Sequence, residues 1–90
     1  MVADRSSGKP YSQIGKIREF DTLVSSDELV WHRDKEEREV TVIEGQGWQL
    51  QYNGCLPILL EEGKTYHIPK MMYHRLFKGA TPLRVEINEI

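Results

Sequence analysis

REVTVIEGQGWQLQYNG, residues 38–54, carries the pattern that decides the fold. The run from Arg38 to Glu44 is rich in β-branched residues at its centre, through Val40, Thr41, Val42 and Ile43. Such side chains are stiff at χ1 and fit a pleated strand better than a helix. Gly45 and Gly47 interrupt the run. Trp48, Leu50 and Tyr52 then alternate with Gln49 and Gln51, a period of two that places apolar and amide side chains on opposite faces of a strand. Asn53-Gly54 predicts a hairpin at this point, because a two-residue primed turn needs positive φ at both positions.

The same grammar continues in both directions. Downstream, Cys55 to Leu60 reads as the returning strand, and Glu61 to Lys64 as a turn. Thr65 to Ile68 is a strand closed by Pro69, Tyr73 to Lys78 is the next, and Gly79 to Pro82 is a turn. Leu83, Val85 and Ile87 alternate with Arg84, Glu86 and Asn88 in the last strand. Upstream, Leu29 to Asp34 reads as a strand followed by the charged turn Lys35-Glu36-Glu37. Ile14 to Val24 is the best helix candidate, weakened by Gly15 and by its β-branched residues. Residues 1–10 show no periodicity and read as a flexible arm. Many short strands separated by Gly and Pro turns predict an all-β sandwich, barrel or jelly roll, with a single domain over residues 11–90.

Ninety residues make one domain and a thin core, since a chain of this size hides only about 60% of its unfolded surface. A homodimer would add a second apolar layer. Hydrophobic residues make up 39% and charged residues 29%, an ordinary globular balance. The net charge of −2 gives no reason to expect nucleic acid or an anionic membrane as a partner. The single cysteine, Cys55, fits a reducing compartment. The apolar run at Pro57 to Leu60 is far too short to span a bilayer, and the first ten residues hold no apolar signal core. The expected location is therefore the cytosol.

Within this frame the chain resembles the cupin family over roughly Leu29 to Ile90. The first cupin motif runs His-x-His, three or four residues, Glu, six residues, Gly. This chain has His32, then Asp34 in place of the second His, Arg38 in place of the Glu, and Gly45. The second motif runs Gly, five residues, Pro-x-Gly, two residues, His, three residues, Asn. Gly63, Pro69 and His74 match it, while Met71 stands for the Gly and Lys78 for the Asn. The spelling of residues 30–34 and 44–48 is similar to that of small cupins encoded by bacteriophages, which would place the protein in a bacterial host cell. The resemblance implies a cupin-like jelly-roll barrel, the double-stranded β-helix, in which the two motifs bring His32 and His74 together.

Two chemistries follow from those positions. In the first, His32, Asp34, Arg38 and His74 line a metal-free pocket for a small anionic ligand. Arg33 and Arg75 add cations there, because arginine offers a fork of donors suited to carboxylate or phosphate. In the second, the resemblance implies that His32, Asp34 and His74 hold a divalent metal (Fe, Mn, Ni or Zn) in a dioxygenase- or isomerase-type enzyme. Two imidazoles and a carboxylate form the facial set of non-haem iron sites, whereas Arg38 cannot deprotonate and would repel a cation. A regulatory or assembly module without catalysis is the third reading.

Local alternatives stay open at several residues. A one-residue shift would make Glu39 the inward residue, although the six-residue spacing to Gly45 favours Arg38. Asp34 and Arg38 flank a turn and can pair with each other. Alternation places His67 on the surface and Arg84 outside the barrel. Met71 and Met72 are expected at the rim of the pocket.

Overall fold

The computed structural model describes residues 11–22 and 30–90. The expected arm over residues 1–10, and Leu29, lie outside the described residues. Eight strands follow in order: β1 (Tyr11–Ile14), β2 (Ile17–Phe20), β3 (Arg38–Glu44), β4 (Gln49–Tyr52), β5 (Ile58–Leu59), β6 (Thr65–Ile68), β7 (His74–Phe77) and β8 (Leu83–Glu89). No helix occurs among the described residues. A five-stranded sheet has the order β1-β2-β8-β3-β6 and a three-stranded sheet the order β5-β4-β7. Every strand pair is antiparallel. The fold is thus all-β with two sheets, and among the described residues strand pairing stays within each sheet.

Alternation sets which side chains meet between the sheets. Val40 and Val42 of β3 lie beside Ile87 and Val85 of β8, and the large sheet contributes Phe20, Ile68 and Leu83 to the same core. Leu50 of β4 and Leu60, just after β5, face them from the small sheet. Trp48, fully buried at 0% exposure, closes one end. Its indole N–H donates to the Thr81 carbonyl, and its ring packs against Phe20 with centroids 5.9 Å apart. Burying such a side chain contributes about 2–3 kcal/mol. Between Val42 and Glu44 the register of β3 against β8 shifts. This bulge leaves Ile43 exposed and helps to turn the chain toward Gly45, whose φ is +147°.

Three expectations change. The helix over Ile14 to Val24 is instead a hairpin as far as Phe20: Ile14 pairs with Ile17 around Gly15-Lys16, with Gly15 at φ +61°. Positive φ at the first central position alone is the type II′ pattern, and β8 recruits β2 along its whole length. Leu23 and Val24 lie outside the described residues. The tight hairpin at Asn53-Gly54 also changes: Cys55 N–H donates to Tyr52 O at 3.0 Å, but only Gly54 has positive φ. That is a turn with glycine in its second central position, and strand pairing resumes only at Leu50 with Ile58. Lastly, the described part of the strand expected over Leu29 to Asp34 forms a single bridge, His32 with His74.

Candidate metal centre

That bridge builds the site. His32 N–H donates to His74 O at 3.0 Å and His74 N–H donates to His32 O at 2.9 Å. Residues directly opposed in an antiparallel pair project to the same side, and the two imidazole centroids lie 4.3 Å apart. Asp34, two residues beyond His32, falls on the same side by strand alternation. Its carbonyl is held by the Met71 N–H at 2.7 Å, which ties the first motif to the turn that leads into His74. One donor atom from each of His32, Asp34 and His74 lies within 4.8 Å of the others.

The tautomer of both rings follows from their partners. His32 Nδ1 lies 2.8 Å from the Val30 carbonyl oxygen, and His74 Nδ1 lies 2.8 Å from the Met72 carbonyl oxygen. A carbonyl only accepts, so each Nδ1 carries the hydrogen and donates it. The neutral ring then keeps its lone pair on Nε2. His74 Nε2 faces Asp34 Oδ2 at 3.5 Å. His74 is only 4% exposed. Burial pushes its imidazole below the usual histidine range, with the neighbouring His32 and Arg38 acting in the same direction and the Met72 carbonyl and Asp34 opposing it.

Arg38 faces inward and lines the cavity, while Glu39 is exposed; this settles the alternative between them. The guanidinium is shared by three carboxylates: Glu89 at 3.3 Å, Asp34 at 3.5 Å and Glu36 at 4.0 Å. The pairing expected between Asp34 and Arg38 therefore forms together with the histidine cluster. Asp34 turns Oδ1 to the arginine and Oδ2 to His74. The buried Arg38 Nε has no hydrogen-bond partner.

The other arginines expected at the pocket lie elsewhere. Arg75 stacks between Trp31 at 4.6 Å and Phe77 at 4.5 Å and donates from Nε to Gln51 Oε1. Arg33 covers the ring of Tyr73. Both belong to the outer side of the small sheet, because alternation sends Arg75 away from its inward neighbours His74 and Leu76. His67 is on the surface, paired with Glu37, and Arg84 pairs with Glu44, both in the orientation alternation predicts. Met71 and Met72 do not line the cavity. They act through their backbone, Met71 at a positive φ of 63°.

Behind the cluster lies a cavity of about 280 Å³ between the two sheets. Its polar end is His32, Asp34, Arg38 and His74. Apolar side chains form most of the remaining wall, with Arg18 as a further polar member. No helix of the described residues is long and apolar enough to cross a membrane.

No family model and no curated protein matches the chain. Among solved structures, the fold is similar to that of protein NMB1881 from Neisseria meningitidis, at 15% identity and a TM-score of 0.56, over 89% of this chain and 79% of that one. At this identity the likeness concerns the fold alone.

Proposed function

We propose that the chain is a cupin-type jelly-roll domain that holds one divalent cation on His32, Asp34 and His74 and presents it to a small molecule in the adjoining cavity. The observation that carries this reading is the pair of Nδ1–H bonds to the Val30 and Met72 carbonyls. A second partner that fixes the tautomer of a histidine is the usual support of a metal-ligating imidazole. It leaves the Nε2 lone pair of each ring free, that of His74 3.5 Å from the Asp34 carboxylate, before any metal arrives.

The donor set fits the group. Two imidazoles and one carboxylate suit Fe, Mn, Ni or Zn. With metal–ligand bonds of about 2.0–2.1 Å, neighbouring donors lie about 3.0–3.4 Å apart in ordinary geometries. The His74–Asp34 separation of 3.5 Å is close to that range, and the widest separation in the cluster, within 4.8 Å, would have to shorten on binding. Arg38, expected to repel a cation, is outnumbered by Asp34, Glu36 and Glu89, so the local field favours a cation. The same carboxylates face the two terminal nitrogens of the guanidinium and leave only Nε unpaired, so little positive charge remains at Arg38 for an anionic ligand. When bound, the metal supplies a Lewis acid or an oxygen-activating centre, the chemistry of a dioxygenase- or isomerase-type cupin.

Elemental analysis of protein purified without chelator, followed by calorimetric titration with Mn²⁺, Ni²⁺ and Zn²⁺, tests the reading. One metal per chain is expected, with affinity reduced more than about 100-fold in His74→Ala. Metal at background in the wild type, or equal uptake by His74→Ala, contradicts it. The thin core and exposed apolar side chains also support pairing of two copies of the chain.

A further inference from the structure

The cavity behind the cluster selects its own occupant. Leu50, Leu60 and Leu76 wall it from the small sheet, and Val40, Val85 and Ile87 from the large one. An apolar cavity of about 150 Å³ admits benzene. The volume here, about 280 Å³, is nearly twice that and has room for a ligand of about ten to twelve non-hydrogen atoms by the same scale. These six side chains supply no hydrogen-bond donor, so a charged group placed against them would lose its hydration without replacement.

Charge at the polar end points the same way. Arg38, 13% exposed at its side chain, is divided among Asp34, Glu36 and Glu89. Even with a divalent cation seated, three carboxylates and one guanidinium leave no positive excess there to draw an anion. Arg18, on the wall farther along the large sheet, is itself engaged with other groups of the chain.

We propose that the cavity takes an uncharged, mainly apolar molecule of about a dozen non-hydrogen atoms at most, an aromatic or branched aliphatic alcohol, aldehyde or ketone. Its single oxygen lies at the His32–Asp34–His74 end. The placement of that oxygen rests on the metal reading above; the ligand class rests on the walls.

The test uses the wild-type chain with labelled methyl groups, and benzyl alcohol and benzoate as matched probes of one shape and two charges. Benzyl alcohol is expected to shift the methyl resonances of Leu76, Val85 and Ile87 saturably, at least about tenfold more tightly than benzoate, and Leu76→Trp to weaken the shifts of Val85 and Ile87 by narrowing the space. Should that variant fail to fold, Ile87→Phe narrows the same cavity from the opposite sheet. Benzoate binding as tightly as benzyl alcohol, or no saturable shift with either probe, overturns the ligand class. Metal uptake measured on the same samples separates the two readings. Benzyl alcohol binding without metal uptake removes the metal and keeps the ligand class, and metal uptake without benzyl alcohol binding does the reverse.

Discussion

Asp34 serves two neighbours at once, the Arg38 guanidinium on one oxygen and the His74 imidazole on the other. Removing the arginine therefore frees a carboxylate oxygen and deletes a cation. Arg38→Met is expected to tighten metal binding about threefold to tenfold, equivalent to ~1 kcal/mol for a screened charge at this range, as read by calorimetric titration. His74 gives a second prediction. Its folded pKa lies below the ordinary value of 6.5, so between 6.5 and that lower value the unfolded chain binds the proton more readily. The stability it contributes is complete above about pH 6.5 and is lost as pH falls toward the folded value, at no more than about 1.4 kcal/mol per pH unit. Urea unfolding of metal-free protein at pH 7.5 and 5.5 checks this: the wild type loses more stability than His74→Gln over the same interval. His32 and Asp34 were legible as a pair because residues two apart on a strand share a face, and His74 only through the family motif that it matches. The Val30 and Met72 carbonyls that orient the rings were not, because a backbone acceptor carries no residue signature. Glu89 reaches Arg38 across 51 positions, a distance that only strand pairing closes.

Glycines separate the elements by two different physical demands. At Gly79 an added Cβ would overlap the Gln46 carbonyl and the Trp48 ring, both fixed by packing. At Gly54 the surrounding space is open and only the φ of +81° resists a side chain. Gly79→Ala is expected to destabilise by about 1–3 kcal/mol through overpacking, and Gly54→Ala by about 1 kcal/mol through backbone strain. Chemical denaturation of the two variants checks the order, and a larger loss at Gly54 would contradict it. The strands from Arg38 onward other than β5 were readable because one face of each is buried, which writes a period of two into the sequence, whereas the strand expected over Cys55 to Leu60 shrinks to the exposed pair Ile58–Leu59. Ile14 to Val24 misled because a short edge hairpin has little such signal: Gly15 marks the turn, but pairing with β8 some sixty residues later is what makes Ile17 to Phe20 a strand. Asn53-Gly54 was identified as a turn and mistaken in type. The register that seats Leu50 opposite Ile58 leaves a longer loop than two residues.

At the scale of the molecule, one sheet edge carries apolar side chains that the chain's own packing does not cover. Leu56 is 84% exposed and Leu59 54%, on or beside the edge strand β5, and Ile58 is exposed next to them. Contiguous apolar side chains at a sheet edge favour association. Sedimentation equilibrium at micromolar concentration is expected to give about twice the 10.5 kDa monomer mass, and Leu56→Asp with Leu59→Lys to shift it toward the monomer. A monomer in the wild type would remove the dimer. The central claim concerns the imidazoles facing Asp34, and ¹⁵N spectra of histidine-labelled protein titrated with Zn²⁺ address it most directly. The Nε2 resonances of His32 and His74 are expected to move together and saturate at one zinc per chain, while surface His67 stays in place. Movement of His67 alone, or no change at His32 and His74, would contradict it.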